Sequence, residues 1–382
     1  MDMDAEPEGR EVGRVRRAIG VAALSVLLLA GAGFVYLRST APAKPPSAIP
    51  SVDRLLVARF PVIYDFVSPS TGWAVDNEVS GSISQSHVFR TTDGTRHWQS
   101  QNLGLQSSFP GFSSLWVELF GKTKGFIAIG PIAGQRLYGT TDGGAHWTLV
   151  PLPDPQVEAV TFNSATDGWL MAETPSGQSS VYATSDAGTS WRRLPDSPNG
   201  ASGLASRGLA ELWSGSVGFT GSPRVYSSID GGNSWRTDRL PYPPTPPGAS
   251  WPAAEWDSTI TLLPSVGVLA SVTCGCAPNQ VFTLTSFDQG VSWTLLPPVP
   301  GFIAYQDDLH WWAINAGALY RSSDAGLTWT SASHLLPYLM FEPHVIDSRH
   351  AWASLSVEGG YGLALTDDGG LHWARATVPQ VG

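Results

Sequence analysis

Three observations predict an all-β protein built as a seven-bladed β-propeller, preceded by one N-terminal transmembrane helix. One eight-residue turn motif is written seven times, its copies recur about every 46 residues, and no helical period appears after Leu37. The copies are Thr91–Trp98, Thr140–Trp147, Thr184–Trp191, Ser228–Trp235, Ser286–Trp293, Ser322–Trp329 and Thr366–Trp373, and they read Ser/Thr-x-Asp-x-Gly-x-x-Trp. From Trp98 to Trp373 there are 275 residues and six intervals. That period suits propeller blades of four strands each.

The residue types of the motif have physical reasons. The aspartates, Asp93, Asp142, Asp186, Asp230, Asp288, Asp324 and Asp368, can accept backbone N–H groups of their own turn. The glycines two places on, Gly144, Gly188, Gly232, Gly290, Gly326 and Gly370, can take the positive φ that a bulged hairpin loop requires. The tryptophans, Trp98, Trp147, Trp191, Trp235, Trp293, Trp329 and Trp373, carry a large apolar ring into the blade. The first copy has Thr95 where the others have glycine, and Gly94 one place earlier, so a slightly different turn is expected there. His97, His146 and His372 precede box tryptophans and read as turn residues rather than ligands.

These residues match the Asp-box, or BNR, repeat. The chain therefore resembles a group that includes bacterial sialidases, sortilin-type ectodomains, some glucan hydrolases and the propellers that assist photosystem II assembly. Gly168-Trp169-Leu170 followed by Thr184-Ser185-Asp186-Ala187-Gly188 looks most like the last kind. The resemblance covers residues 52–379. It implies the fold strongly and the function weakly, because the turn is shared by enzymes and binding proteins.

At the start of the chain, residues 1–17 are polar and of mixed charge and read as a cytoplasmic tail. Arg14, Arg16 and Arg17 stand before an uncharged apolar run at 18–37, long enough to cross a bilayer as a helix. Arginines on its N-terminal side predict that this end stays in the cytoplasm. A cleaved signal peptide, which would leave the protein secreted, is the competing reading. Residues 38–51 are a proline-rich linker, favouring extended conformations of about 3 Å per residue.

The propeller, residues 52–379, carries 16 Lys and Arg against 27 Asp and Glu. That balance argues against nucleic acid and against anionic lipid. Cys274 and Cys276 are the two cysteines, and outside the cytoplasm they are expected either to form a tight disulfide or to remain free thiols. One Cys-x-Cys is too few ligands for a metal, and no cofactor motif is present.

A second signal marks the second strand of each blade: Gly72-Trp73-Ala74, Gly125-Phe126-Ile127, Gly168-Trp169-Leu170, Gly218-Phe219-Thr220, Gly267-Val268-Leu269, Trp311-Trp312-Ala313 and Ala351-Trp352-Ala353. The blades then run approximately over 52–104, 105–153, 154–198, 199–241, 242–298, 299–336 and 337–379, and residues 54–60 are apolar enough to add a closing strand. The distance from this signal to the box aspartate is 20 residues from Trp73 and 11 from Phe219, so loop length varies between blades. Strands alternate direction, so the strand two–three loops and the inter-blade connections share the face opposite the boxes. The variable material at 76–86, 101–112, 173–178, 241–251, 273–280 and 358–360 makes that face the expected binding surface. Arg59, Trp116, Tyr242 and Trp251 are its candidate contact residues.

Catalysis of the sialidase type is the alternative. Those enzymes place an arginine triad, a tyrosine–glutamate pair and an acid/base aspartate opposite the boxes, and their first arginine sits in an Arg-Ile-Pro sequence. Arg59-Phe60-Pro61 is a near match. Arg207, Arg224 and Arg349, with Tyr305 and Tyr338, have no matching context, and a glycosidase otherwise needs two placed carboxylates. The expectation is therefore a non-catalytic, membrane-anchored, extracytoplasmic propeller that binds a protein partner at or near the membrane. A glycan-binding module without hydrolysis is a further alternative.

Overall fold

The computed structural model describes residues 58, 62–80, 83–103, 108–110, 114–130, 135–154, 156–173, 178–242, 255–275, 280–315, 318–335 and 339–380. The segment 18–37, the linker at 38–51, Arg59, Trp251, Cys276 and Tyr338 lie outside them. Among the described residues no helix is long and apolar enough to cross a membrane.

All the named elements are strands, and they form seven consecutive antiparallel four-strand blades. Blade one shows the pattern: Val62–Ser68, Thr71–Ser80, Ile83–Thr91 and Gln99–Gln101 pair in chain order. In each blade the box turn joins the third strand to the fourth. In six of them the fourth-position N–H reaches back to the turn between strands one and two, as from Gly94 to Ser70, Gly143 to Thr123 and Ala187 to Thr166. These two turns therefore share one face, and the strand two–three hairpin ends share the other.

Because side chains alternate across a strand, each sheet has two apolar faces and packs on both neighbours. Trp73, Val75 and Val88 pack against Val117, Ile127 and Tyr138 of blade two, whereas Ala74 and Phe89 pack against Trp352 and Leu363 of blade seven. Seven such clusters follow the ring. The last joins blade seven to blade one, where Ala58 exchanges two backbone hydrogen bonds with Tyr361 at 2.7 and 2.8 Å. The segment expected at 54–60 to add a closing strand thus touches the last blade at Ala58. The Trp98 indole N–H also donates to the Thr377 carbonyl across this seam, at 2.9 Å.

Two expectations are corrected. In blade four the second strand is Glu211–Thr220, and the residues level with the box are Leu212-Trp213, not Gly218-Phe219. Trp213 precedes Asp230 by 17 residues, so the apparent shortening to 11 was an error of register. Gly218-Phe219-Thr220 instead crosses to blade five, where Phe219 pairs with Trp256 and Thr220 with Glu255. Small residues permit the crossing. A Cβ on Gly215 would lie 1.8 Å from the Ser258 carbonyl oxygen, and Ser216 donates its N–H to Ser258 Oγ at 2.9 Å. Blades four and five are therefore one eight-stranded sheet.

The second correction concerns 76–86. It is a continuation of the hairpin rather than a loop, paired from Asp76↔His87 to Ser80↔Ile83. The short strand Ser108–Pro110 pairs with the far end of Ile83–Thr91. Residues 358–360 form a tight turn closed by Val357↔Gly360.

Candidate functional site

The boxes are built alike in all seven blades. The Ser/Thr hydroxyl donates to one aspartate oxygen at 2.8–3.1 Å. The fifth-position N–H donates to that hydroxyl at 2.8–3.0 Å. The seventh-position N–H donates to the same aspartate oxygen at 2.8–3.0 Å. Fourth and fifth positions both have positive φ. Thr95 adopts φ 72° with Gly94 before it at 72°, so the first box forms the same turn as the rest, contrary to the different turn expected. Its threonine occupies the left-handed conformation that glycine takes elsewhere.

The box has one more constant feature. The residue before the tryptophan is His97, His146, Ser190, Ser234, Ser292, Thr328 or His372, and its side chain always meets the second aspartate oxygen, at 2.6–2.7 Å. The signal was present as a recurring hydrogen-bonding side chain at one position. The serine and threonine copies form the same bond as the histidines. Bonding of this kind favours the charged carboxylate. The side chain of His97 holds Asp93 down at about 2, the backbone of His146 does so for Asp142, and the hydroxyls of Ser234 and Ser292 do so for Asp230 and Asp288. The box acids are thus structural.

Arginines that could have served a catalytic triad are also engaged, on the box face. Arg207 closes a two-armed ion pair with Glu211 at 2.7 and 2.5 Å. It also donates to the carbonyls of Leu263, Val266 and Gly267 in blade five. Arg349 donates from Nε to the Asp367 carbonyl at 3.0 Å. Neither lies on the face opposite the boxes, and Arg224 stands in the third strand of blade four, opposite Arg239. Tyr305 sets its ring edge-on to Trp311 at 5.1 Å.

On the face opposite the boxes, the structure places part of the expected set. Trp116 is in the first strand of blade two, paired with Ala128. Tyr242 is exposed, its ring 6.1 Å from that of fully buried Trp256. Cys274 is buried at the end of its strand and disulfide-bonded. Among the described residues of this face, the blade-one hairpin outruns its own first strand. The first strand ends its pairing at Val62↔Asp76, while the second and third continue to Ser80 and Ile83. At the base of this extension, His87 Nδ1 lies 2.8 Å from Asp76 Oδ1, with Asp76 buried and His87 half-buried. The bond to Asp76 pushes the His87 imidazole above its ordinary value, against the opposing effect of burial.

Residues 52–211 match the family model described as photosynthesis system II assembly factor YCF48. No curated protein matches the chain. Among solved structures, the chain is similar to one described as YCF48 bound to D1 peptide, with 18% identity and a TM-score of 0.50, over 87% of this chain and 100% of that one. It is also similar to a GH74 xyloglucanase from Xanthomonas campestris, at 15% identity and a TM-score of 0.50, over 82% of this chain and 60% of that one. A third likeness is to a puromycin-hydrolyzing peptidase of Mycobacterium tuberculosis, at 12% identity and a TM-score of 0.56, over 84% of this chain and 54% of that one. At these identities the likenesses show the β-propeller fold.

Proposed function

We propose that this chain, a YCF48-like BNR-repeat propeller over residues 52–211, is a non-catalytic binding protein that helps assemble a membrane or envelope complex. In this reading residues 18–37 hold it at the outer face of a membrane and a protein segment docks on the face opposite the boxes. The observation that carries the reading is the blade-one hairpin, which outruns its first strand on that face and is flanked by Ser108–Pro110. A two-stranded extension of this kind offers backbone donors and acceptors to an extended segment. The propeller described as bound to a D1 peptide supports the class of partner, a stretch of protein chain. The ion pairing of Arg207 and the backbone bond of Arg349 on the other face support binding over sialidase-type hydrolysis. An anchor adds to binding by raising the effective concentration of partners in the same bilayer.

The test is cross-linking in intact cells with a C-terminal tag, followed by identification of what co-purifies. One variant replaces residues 78–85 by a two-residue Asn-Gly turn, and a second lacks 241–247. A membrane protein recovered with the wild type and lost with the shortened hairpin supports the assignment. Equal recovery from all three chains would sink it.

A further inference from the structure

The box face is divided into two sectors of different chemistry. In blades one to three the second and sixth box positions are the exposed Thr92, Arg96, Thr141, Ala145, Ser185 and Thr189. In blades four to seven five of the eight are large and apolar, Ile229, Phe287, Val291, Leu327 and Leu371, beside Asn233, Ser323 and Asp367. Ile229 is 71% exposed, Val291 is 77% exposed, and Phe287 stands out beside Val291. The adjoining strand one–two turns present Leu209 at 64%, with Val266 and Leu309 about half exposed. The Asp-box turn itself does not require this, because three blades build the same turn with polar residues or alanine at these positions.

These tips form one fixed band. Arg207, beneath Leu209, donates to the Val266 carbonyl at 3.0 Å. Asp308, beside Leu309, accepts the N–H groups of Ser265, Val266 and Gly267 at 2.7, 2.8 and 3.1 Å. The blade-five turn is thus gripped from both sides, its carbonyls by blade four and its N–H groups by blade six. Gly231 donates to the Ala210 carbonyl and Ala325 to the Leu309 carbonyl, tying each turn to its own box. The backbone polar groups of the strand one–two turns are engaged within the band, and the large apolar tips stand out to solvent beside the exposed Asn233 and Gln289. Exposed apolar patches of several hundred square ångströms mark contact surfaces.

We infer that this band is the contact face of a symmetric pair formed by two copies of the chain. Six large apolar side chains, four of them more than half exposed, supply an apolar centre for a standard interface, which buries about 800 Å² per partner. A two-fold contact meets like with like, so it needs only the surface the chain already has. The chain itself enters at the other face. Ala58 bridges Tyr361 close to the Val357↔Gly360 turn, and Val62 pairs with Asp76 at the foot of the long hairpin. Pairing through the band therefore leaves the partner-binding face of each copy open. An anionic bilayer fits this face poorly, because the chain carries a net charge of −10 and the arginines at the band are paired, Arg207 with Glu211 and Arg236 with Asp238.

The test is the mass of the full-length protein in detergent across micromolar concentrations, by sedimentation or light scattering. The expected result is a concentration-dependent dimer. Ile229→Asp and Val291→Asp should each weaken it by about tenfold or more. Leu149→Asp, an exposed apolar position outside the band, should leave it unchanged. Tryptophan emission checks that the variants stay folded. A monomer at all concentrations, a dimer indifferent to both band variants, or binding of the monomer through the band to phosphatidylcholine vesicles would each overturn the inference.

Discussion

Each box aspartate uses its two oxygens for different purposes. One accepts the Ser/Thr hydroxyl and a backbone N–H, which fixes the turn, and the other meets the side chain before the tryptophan. Both depend on the charge, so the bonding that lowers Asp93, Asp142, Asp230 and Asp288 to about 2 also makes the fold sensitive to acid. The folded value lies below the unfolded one. The stabilisation is therefore complete above about pH 4 and disappears as the pH falls through about 2. Circular dichroism should show cooperative acid unfolding in that window, with a shallower pH dependence in Asp142→Asn. A pH-independent signal from 5 to 2 would contradict the role assigned to these carboxylates. The fifth box position follows a second rule. Gly326 combines φ 83° with a Cβ site 2.5 Å from the Trp311 ring, so Gly326→Ala should cost about 2–4 kcal/mol. Thr95 already pays that conformational cost in the first box. Thr95→Gly should change stability by less than about 1 kcal/mol, since relief of the left-handed strain is offset by glycine's greater freedom when unfolded. Chemical denaturation of the two variants side by side tests the contrast.

Between elements, the contacts that matter are those a repeat pattern cannot express. The box motif and the aromatic before it made the blade count and most strands legible, because each recurs once per blade in the same order. Blade four was misread because Trp213 is followed by Ser214-Gly215-Ser216 and then by a second aromatic at Phe219. Two candidate registers were open, and the pairing to Glu255–Leu262 that separates them is long-range. The extension of the blade-one hairpin was hidden for a related reason, since Asn77–Gln85 is polar and reads as a loop. On the candidate binding face, Trp116 and Tyr242 carried no signal beyond being aromatic, whereas Asp76 and His87 meet only through cross-strand register. Their pairing has a consequence. The His87 imidazole is raised in the folded chain, so its contribution to stability is present below about 6.5 and is lost as pH rises through the folded value. Glu78 adds to the effect, and Tyr64 is a buried neighbour of the same carboxylate. In Asp76→Asn the His87 ring resonance should titrate at a lower pH than in the wild type, by NMR. An unchanged titration would place the cause elsewhere. At the junction of blades four and five, Gly215→Val would drive a side chain into the Ser258 carbonyl and should separate the two sheets or unfold them.

For the whole molecule, a ring of blades is only as strong as its last interface. Six interfaces join blades that are consecutive in sequence, so each closes when its neighbours fold. The seventh brings residues about 300 apart together, and its loop-closure entropy is correspondingly larger. The structure answers this with the Ala58–Tyr361 exchange, the Trp98 bond to Thr377 and a cluster in which Tyr64 and Phe66 pack on both Trp98 and Trp352. Blades four and five supply the opposite case, a junction reinforced by continuous strand pairing. The seam should therefore be where the ring opens first. Ala58→Pro removes the N–H that donates to Tyr361 while keeping the carbonyl that accepts from it. It should cost about 1–3 kcal/mol and lower the melting temperature by a few degrees. Hydrogen exchange locates the effect: the Tyr361 amide and the blade-seven third strand should exchange faster in the variant, while amides at Phe219 and Trp256 keep their protection. If protection falls equally at both junctions, the ring unfolds as one unit and the seam is no weaker than the rest.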